Sequence, residues 1–297
     1  MSRILITGIN GQLGFELRRA LAMLGECICL DRQQLDLSRP DDIATVLDQT
    51  QPDIIVNPAA YTAVDKAESD TELAHTVNTA APAAMAKWAA SNQALLLHYS
   101  TDYVFDGNKV DSYTEEDTAN PQSVYGQSKW QGEQAIRASG ADHIILRTSW
   151  VVGAHGGNFL KTIMRLARER DSLNVVADQT GAPTPAALIA DVSAHIIKQW
   201  QAKQNKTLLG TYHLASSGHT SWHGYTQHLL TLAERYGVAL QLKPENLHAI
   251  PTSAYPTPAQ RPGNSSLNCS KIEAVFGLVM PAWQNGVEHV FQQIFNS

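Results

Sequence analysis

The chain has 297 residues, 43% hydrophobic and 17% charged, with a formal net charge of −6. Disorder needs low hydrophobicity with high charge, and a mildly acidic surface offers phosphate backbones no basic footprint, so the composition excludes a disordered chain and speaks against a nucleic-acid partner. No apolar run approaches the roughly 18 residues of a membrane span, the start MSRILITGINGQLG lacks a basic and apolar leader, and Cys27, Cys29 and Cys269 cannot build a disulfide framework, so the expectation is a reduced cytoplasmic protein with no membrane partner.

In chain order, apolar periodicity predicts a strand over Arg3 to Thr7, a helix from about Gln12 and a second strand near Cys27 to Leu30. Cys27 and Cys29 alternate onto one side of that strand and, without C-x-x-C spacing, read as packed thiols. Ser38-Arg39-Pro40 opens a helix, with Ser as cap and Pro in the first turn, that leads to the run DIIV at Asp53 to Val56. A long helix over Ala74 to Ala90 precedes LLLHYS, Leu95 to Ser100, and a helix from Ser123 to Ala138 precedes HIILRTS, His143 to Ser149. Strands apolar on both faces, alternating with helices, predict a parallel sheet covered on both sides, which is a doubly wound α/β architecture.

Beyond about Trp150 the pattern loosens. An amphipathic helix over Asn158 to Arg170 carries Phe159, Ile163, Leu166 and Ala167 on one face; helices over Ala187 to Gln199 and Ser221 to Tyr236, a strand at GTYHLA from Gly210, and a last helix ending in FQQIF follow. The Pro-rich stretch Ile250 to Asn264 predicts rigid, extended loops. The expected division is a sheet domain over 1–151, rejoined by a strand near 210–215, and a smaller C-terminal α/β domain over 152–297 that takes the substrate.

The first strand runs into Gly8-Ile9-Asn10-Gly11-Gln12-Leu13-Gly14, where a strand turns into a helix. Glycines there admit a pyrophosphate against the backbone, and free N–H groups and the helix dipole favour the anion. Gly8, Asn10, Gly11, Gln12, Leu13 and Gly14 are therefore candidate dinucleotide contacts. Asp31, after strand two, suits an adenosine ribose diol, whereas Arg32 would fork onto a 2′-phosphate, so NADH and NADPH both stay open. Asp36 and Leu37 are expected at the adenine edge, and Ala59, Ala60, Tyr61 and Thr62 along the cofactor's middle.

Tyr125-Gly126-Gln127-Ser128-Lys129 places a phenol and an ammonium four residues apart on a helix, hence on one face. A phenol is a poor acid or base near neutrality, and a neighbouring cation would stabilise its phenolate. Thr101, in YSTDYVFDG at the end of the fourth strand, is placed to hold a carbonyl or hydroxyl oxygen while Tyr125 exchanges a proton, because residues past the carboxyl ends of parallel strands meet at the cofactor cleft. Arg261, in the Pro-rich stretch, would suit a diphosphate. His219 and His223 lack the Glu and the third ligand of a zinc site and read as ordinary histidines.

Together GxxGxxG, STDYVFDG, YGQSK, LRTSWVVG, DQTGAPT and AYPTPAQRP resemble the dTDP-4-dehydrorhamnose reductase family of extended short-chain dehydrogenases/reductases, over nearly the whole chain. The resemblance implies a Rossmann sheet, and hydride transfer from NADPH or NADH to the 4-keto group of dTDP-4-dehydro-6-deoxy-L-mannose, giving dTDP-L-rhamnose for surface polysaccharide. It implies that Thr101, Tyr125 and Lys129 are catalytic: Tyr125 donates the proton, Lys129 lowers its pKa and holds the nicotinamide ribose, and Thr101 anchors the keto oxygen. Trp150 resembles the family's aromatic wall against the sugar, with Asp102 and Val104 beside the catalytic Thr. Some members form a magnesium-linked homodimer through three Glu; Glu16 suits the first place, whereas PTPAALIAD and FQQIFNS offer neutral residues for the others, so Mg2+ and the dimer it implies are not expected. A sibling nucleotide-sugar reductase or epimerase, and a non-catalytic NADP-binding regulatory subunit, are the alternatives.

Overall fold

The structure is a computed structural model and describes residues 1–203 and 205–295, Lys203 through its backbone only. The first half alternates strand and helix: β1 (Arg3–Ile6), α1 (Gln12–Leu21), β2 (Glu26–Cys29), α2 (Pro40–Thr50), β3 (Ile54–Asn57), the short α3 (Val64–Ala67) and α4 (Thr71–His75), α5 (Ala81–Asn92), β4 (Leu95–Thr101), α6 (Val124–Ala138) and β5 (His143–Thr148). Then come β6 (Val151–Val152), α7 (Phe159–Glu169), β7 (Leu173–Val176), β8 (Thr180–Gly181), β9 (Thr184–Pro185), α8 (Ala186–Lys203), β10 (Gly210–His213), β11 (Thr220–Ser221), α9 (Trp222–Arg235), β12 (Leu247–Ile250), α10 (Ser270–Phe276) and α11 (Trp283–Phe295).

Six strands form the central sheet in the order β10-β5-β4-β3-β1-β2, and every pairing is parallel. Side chains alternate across it. Ile4, Ile6, Ile54, Val56, Leu95 and Leu97 meet Leu13, Leu17 and Leu21 of α1 and Ile189 and Ile196 of α8 on one face. Leu5, Ile55, Leu96 and Ile145 meet Ile43 and Leu47 of α2, Met85 of α5 and Ile136 of α6 on the other. This two-sided burial is why the strands read as continuous apolar runs. The chain leaves β1 toward β2 on one side and returns to β3 on the other, and such a reversal opens a crevice at the carboxyl ends of the strands.

The long helix expected over Ala74 to Ala90 is interrupted. A π-helical turn, Thr76–Ala80, joins α4 to α5. Pro82, at the start of α5, has no N–H and its ring would clash with the carbonyl four residues back, at Asn78, so a regular helix cannot run through. The widened turn buries the Asn78 side chain, which accepts from the Tyr61 N–H (2.8 Å) and donates to the Tyr61 carbonyl (3.0 Å) and Ser128 Oγ (3.0 Å), clamping the loop after β3 to α6.

A second core gathers α7, α9 and α11, with Leu160, Ile163, Leu229, Trp283, Val287 and Phe291 buried together. Beside it β7 and β12 pair in parallel, an association that the periodicity of these short segments did not signal. Meanwhile α8, β10 and α10 lie late in the chain yet pack on the central sheet.

Candidate active site

The glycine turn is built by close approach. Gly8 has φ +57°, and a Cβ there would stand 2.8 Å from Ala59 Cβ; a Cβ on Gly14 would stand 2.2 Å from the Gly8 carbonyl oxygen. Gly11 caps α1 without any side-chain acceptor, so the first N–H groups of the helix are left for an anion. Gly8, Asn10, Gly11, Gln12, Leu13 and Gly14 line a cavity of about 710 Å³ at the carboxyl edge of the sheet. Ala59, Ala60 and Thr62 line it after β3, Thr101 and Asp102 after β4, Tyr125 and Lys129 from α6, and Trp150 and Arg261 from beyond.

Six expected contacts lie off this wall. Asp31 accepts the Gln33 and Gln34 N–H groups (2.9 and 3.1 Å), folding onto its own loop. Arg32 is 79% exposed, 3.5 Å from Asp36, whose carboxylate accepts from the Ser38 N–H (3.0 Å) and Oγ (2.8 Å). Leu37 and Val104 are buried in apolar clusters. Tyr61 turns its hydroxyl to Asp70 (2.9 Å).

Thr101, the last residue of β4, donates to Asp102 Oδ1 (3.1 Å) and accepts from the Tyr103 N–H (3.2 Å). Asp102 is buried, and burial pushes its carboxyl up to about 6 against the hydrogen bonds of Ser265 and Thr101; among the described residues its Oδ2 has no partner. Ser123 Oγ accepts from the Gly126 N–H (3.1 Å) to start α6, and a Cβ on Gly126 would stand 2.2 Å from the Tyr103 carbonyl oxygen. That contact draws Tyr125 against the end of β4, where its ring meets Tyr103 edge-on at 5.4 Å. Burial raises the Tyr125 phenol, and a hydrogen bond with Thr101 counters this in part.

Lys129 is buried too. Its Nζ donates to the Tyr99 carbonyl (2.6 Å) and stands 3.2 Å from His98 Nε2. Burial pulls the ammonium down to about 8, with Glu133 acting in the opposite sense. Among the described residues no hydrogen bond joins Lys129 to Tyr125.

Sequence reasoning passed over Trp222. It stacks on Trp150, centroids 3.5 Å apart and planes 10° apart, while donating to Gln179 Oε1 (3.1 Å). Trp150 itself sits at φ +48°, a left-handed conformation rare for a bulky residue, and a Cβ on Gly181 would meet its ring at 2.6 Å. Trp222 and Arg261 are shared with a second cavity of about 620 Å³, walled by Phe159, Leu166, Val176 and Tyr255. Arg261 spans the mouth between the two, 2.6 Å from Asp65 and donating to Tyr103 Oη (3.3 Å). The signal for Trp222 was available: an aromatic residue immediately after a Ser helix cap, where a side chain is carried to the end of an element.

Among the described residues no group of three or more His, Cys, Asp or Glu is placed to hold a metal. The segment PTPAALIAD is not wholly neutral, since it ends in Asp191, but Arg19 stands between Asp191 (2.8 Å) and Glu16 (3.3 Å). Arg19 thus pairs with both carboxylates, and Asn296 and Ser297 of FQQIFNS lie outside the described residues.

Sheet and cleft together define the class: a Rossmann-type α/β fold with the Tyr-x-x-x-Lys pair of the short-chain dehydrogenases/reductases at the end of its sheet. The family described as RmlD substrate binding domain matches residues 1–296. The dTDP-4-dehydrorhamnose reductase of Shigella flexneri is 46% identical over 99% of this chain and 98% of its own, and that of Burkholderia thailandensis 44% identical over 96% of each. A dTDP-4-dehydrorhamnose reductase crystal structure from Clostridium acetobutylicum superposes with a TM-score of 0.89 at 34% identity, covering 98% of both chains. The Bacillus anthracis enzyme, solved in complex with NADP, gives 0.87 at 33% identity with the same coverage. The chain belongs to the dTDP-4-dehydrorhamnose reductase family.

Proposed function

We propose that this chain reduces the 4-keto group of dTDP-4-dehydro-6-deoxy-L-mannose to dTDP-L-rhamnose, as a soluble cytoplasmic enzyme using NADPH or NADH. The observation that carries the reading is one cavity that holds the glycine turn at one end and Thr101 with Tyr125 at the other. The uncapped N-terminus of α1 fits a pyrophosphate, and the reduced nicotinamide supplies a hydride when bound. Tyr125 gives its phenolic proton to the alkoxide that develops at C4, a transfer worth roughly 10²- to 10⁴-fold in rate. Thr101 donates to the same oxygen, having exchanged its bond to Asp102, and Asp102 Oδ2 accepts a sugar hydroxyl. Lys129 fixes the ribose and supplies positive charge beneath the phenol. Trp150 and Trp222 form the apolar wall of the sugar site, and the second cavity takes the nucleoside diphosphate, for which Arg261 leaves Asp65.

Tyr125→Phe tests the reading. NADPH consumption with the keto-sugar should fall by at least about a hundredfold, while NADPH still binds with unchanged affinity by titration calorimetry. Undiminished turnover in the variant rejects the assignment, and wild-type enzyme that converts the sugar with no net loss of the nicotinamide absorbance points to an epimerase instead.

A further inference from the structure

The catalytic reading uses Lys129 but leaves unexplained what lies behind it. A row of buried polar side chains crosses three adjacent strands of an otherwise apolar sheet. Lys129 Nζ faces His98 Nε2 on β4 (3.2 Å); His98 Nδ1 faces Asn57 Nδ2 on β3 (3.1 Å), an amide whose N and O ends are interchangeable by a half-turn; and Thr7 Oγ1, just past β1, lies 2.7 Å from Asn57 Oδ1. Asn57 and His98 are register partners, so the strand pairing itself aligns the row. Exposure is 0% for His98 and Asn57, 1% for Thr7 and 2% for Lys129, and Thr7 immediately precedes Gly8 of the anion-binding turn. Four polar side chains buried in one line are costly unless each is satisfied, and here each one satisfies the next.

We propose that His98 is a positioning residue for Lys129: its neutral ring offers the Nε2 lone pair that aims the ammonium into the cleft, and Asn57 and Thr7 hold the ring in that tautomer. The inference rests on the reading of Lys129 as part of a reductase site. An ammonium has three donors and no acceptor, so a charged Lys129 requires a lone pair on Nε2 and a proton on Nδ1. A half-turn of the Asn57 amide then presents its oxygen to Nδ1 and its NH₂ to Thr7 Oγ1, with every contact in the row retained. With Nζ fixed by His98 and by the Tyr99 carbonyl, its third N–H is left for the cavity.

The surroundings favour this division of labour. Glu133, one turn along its own helix, and His98 on β4 are the titratable groups that act on Lys129, and Tyr125 and Asp102, just past β4, line the same cavity. Glu133 is engaged by Arg147, which donates from Nε (2.9 Å) and Nη2 (2.7 Å). Burial, and then the charge of Lys129, hold the His98 ring well below the ordinary histidine range, which keeps it an acceptor throughout the working pH range.

Asparagine and glutamine separate the contacts, because an Asn carboxamide reaches the position of Nδ1 and a Gln carboxamide that of Nε2. Removing the Nε2 acceptor leaves the ammonium less well held, so His98→Asn should lower kcat/KM about tenfold and move the alkaline limb of its pH profile about one unit toward acid. His98→Gln, which restores an acceptor to Lys129, should stay within about twofold of wild type with the limb in place. A wild-type profile in His98→Asn, or equal loss in both variants, overturns the proposal. ¹⁵N NMR of the histidine-labelled wild-type protein with NADPH bound needs neither variant nor turnover. It should report the neutral Nδ1–H tautomer for His98 at pH 7, and an Nε2–H tautomer or an imidazolium overturns the proposal. Because that spectrum does not depend on the keto-sugar, a failure of the proposed reaction and a failure of the His98 assignment are read separately.

Discussion

Lys129 and Glu133 stand one helical turn apart on α6, both buried, and their surroundings treat them oppositely. Glu133 is enclosed by two guanidinium groups, Arg147 from β5 and Arg137 from its own helix (2.6 Å). Burial alone would push its carboxyl up, but Arg147 and then Arg137 outweigh it and hold the group below the usual glutamate range. Among the described residues Lys129 meets only neutral acceptors, and burial pulls its ammonium down instead. A matched charge is spent on architecture, joining α6 to β5; an unmatched one remains free to answer to a ligand.

Breaking the matched side should have the largest effect on folding. Arg147→Met leaves the Glu133 carboxylate short of its bidentate partner in a dry site and should cost about 3 kcal/mol, measured by urea unfolding, while the folded fraction keeps its affinity for NADPH. The unmatched side should respond in the reverse manner. Lys129→Met should lower kcat/KM by about a hundredfold, since it removes the charge near the reacting proton, with stability at pH 7 equal to wild type or higher because a solitary buried ammonium is gone.

The pH dependence sharpens the contrast. With Lys129 at about 8 in the folded protein and near 10.5 when unfolded, the unfolded chain binds more protons between those values, so stability from this group rises with pH there. Turnover should fall above about pH 8 while the stability difference between wild type and Lys129→Met moves in favour of wild type, a pattern absent if Lys129 stays charged. The smallest effect belongs to Arg137→Ala. Arg137 is 31% exposed, and its removal should cost under about 1 kcal/mol by the same unfolding assay.

Much of this arrangement is legible in the sequence, for identifiable reasons. Ile54 to Val56 and Leu95 to Leu97 are buried on both faces and apolar at each position, so their runs stand out as parallel strands. The glycine turn announces itself because only glycine fits at Gly8 and Gly14. By contrast, β7 and β12 are four-residue, half-exposed strands that find each other across more than seventy residues, and nothing local records that pairing. His98 was visible as a polar residue in an apolar run, but its meaning depends on Asn57 across the register and on Lys129 from a helix. In the loop from Asp31 to Leu37 the polar groups of Asp31 and Asp36 bond to neighbours within the loop, which spacing does not reveal.

The threading of the chain between its two cores has a mechanical consequence. After β5 the backbone leaves the sheet for α7, returns for α8 and β10, departs for α9, comes back at α10 and finally ends in α11. The smaller body thus hangs on several parallel connections instead of one tether. Any opening of the cleft has to bend all of them together, which confines the motion to a swing about the line through those crossings and forbids the wide, loosely coupled excursions that a single linker permits.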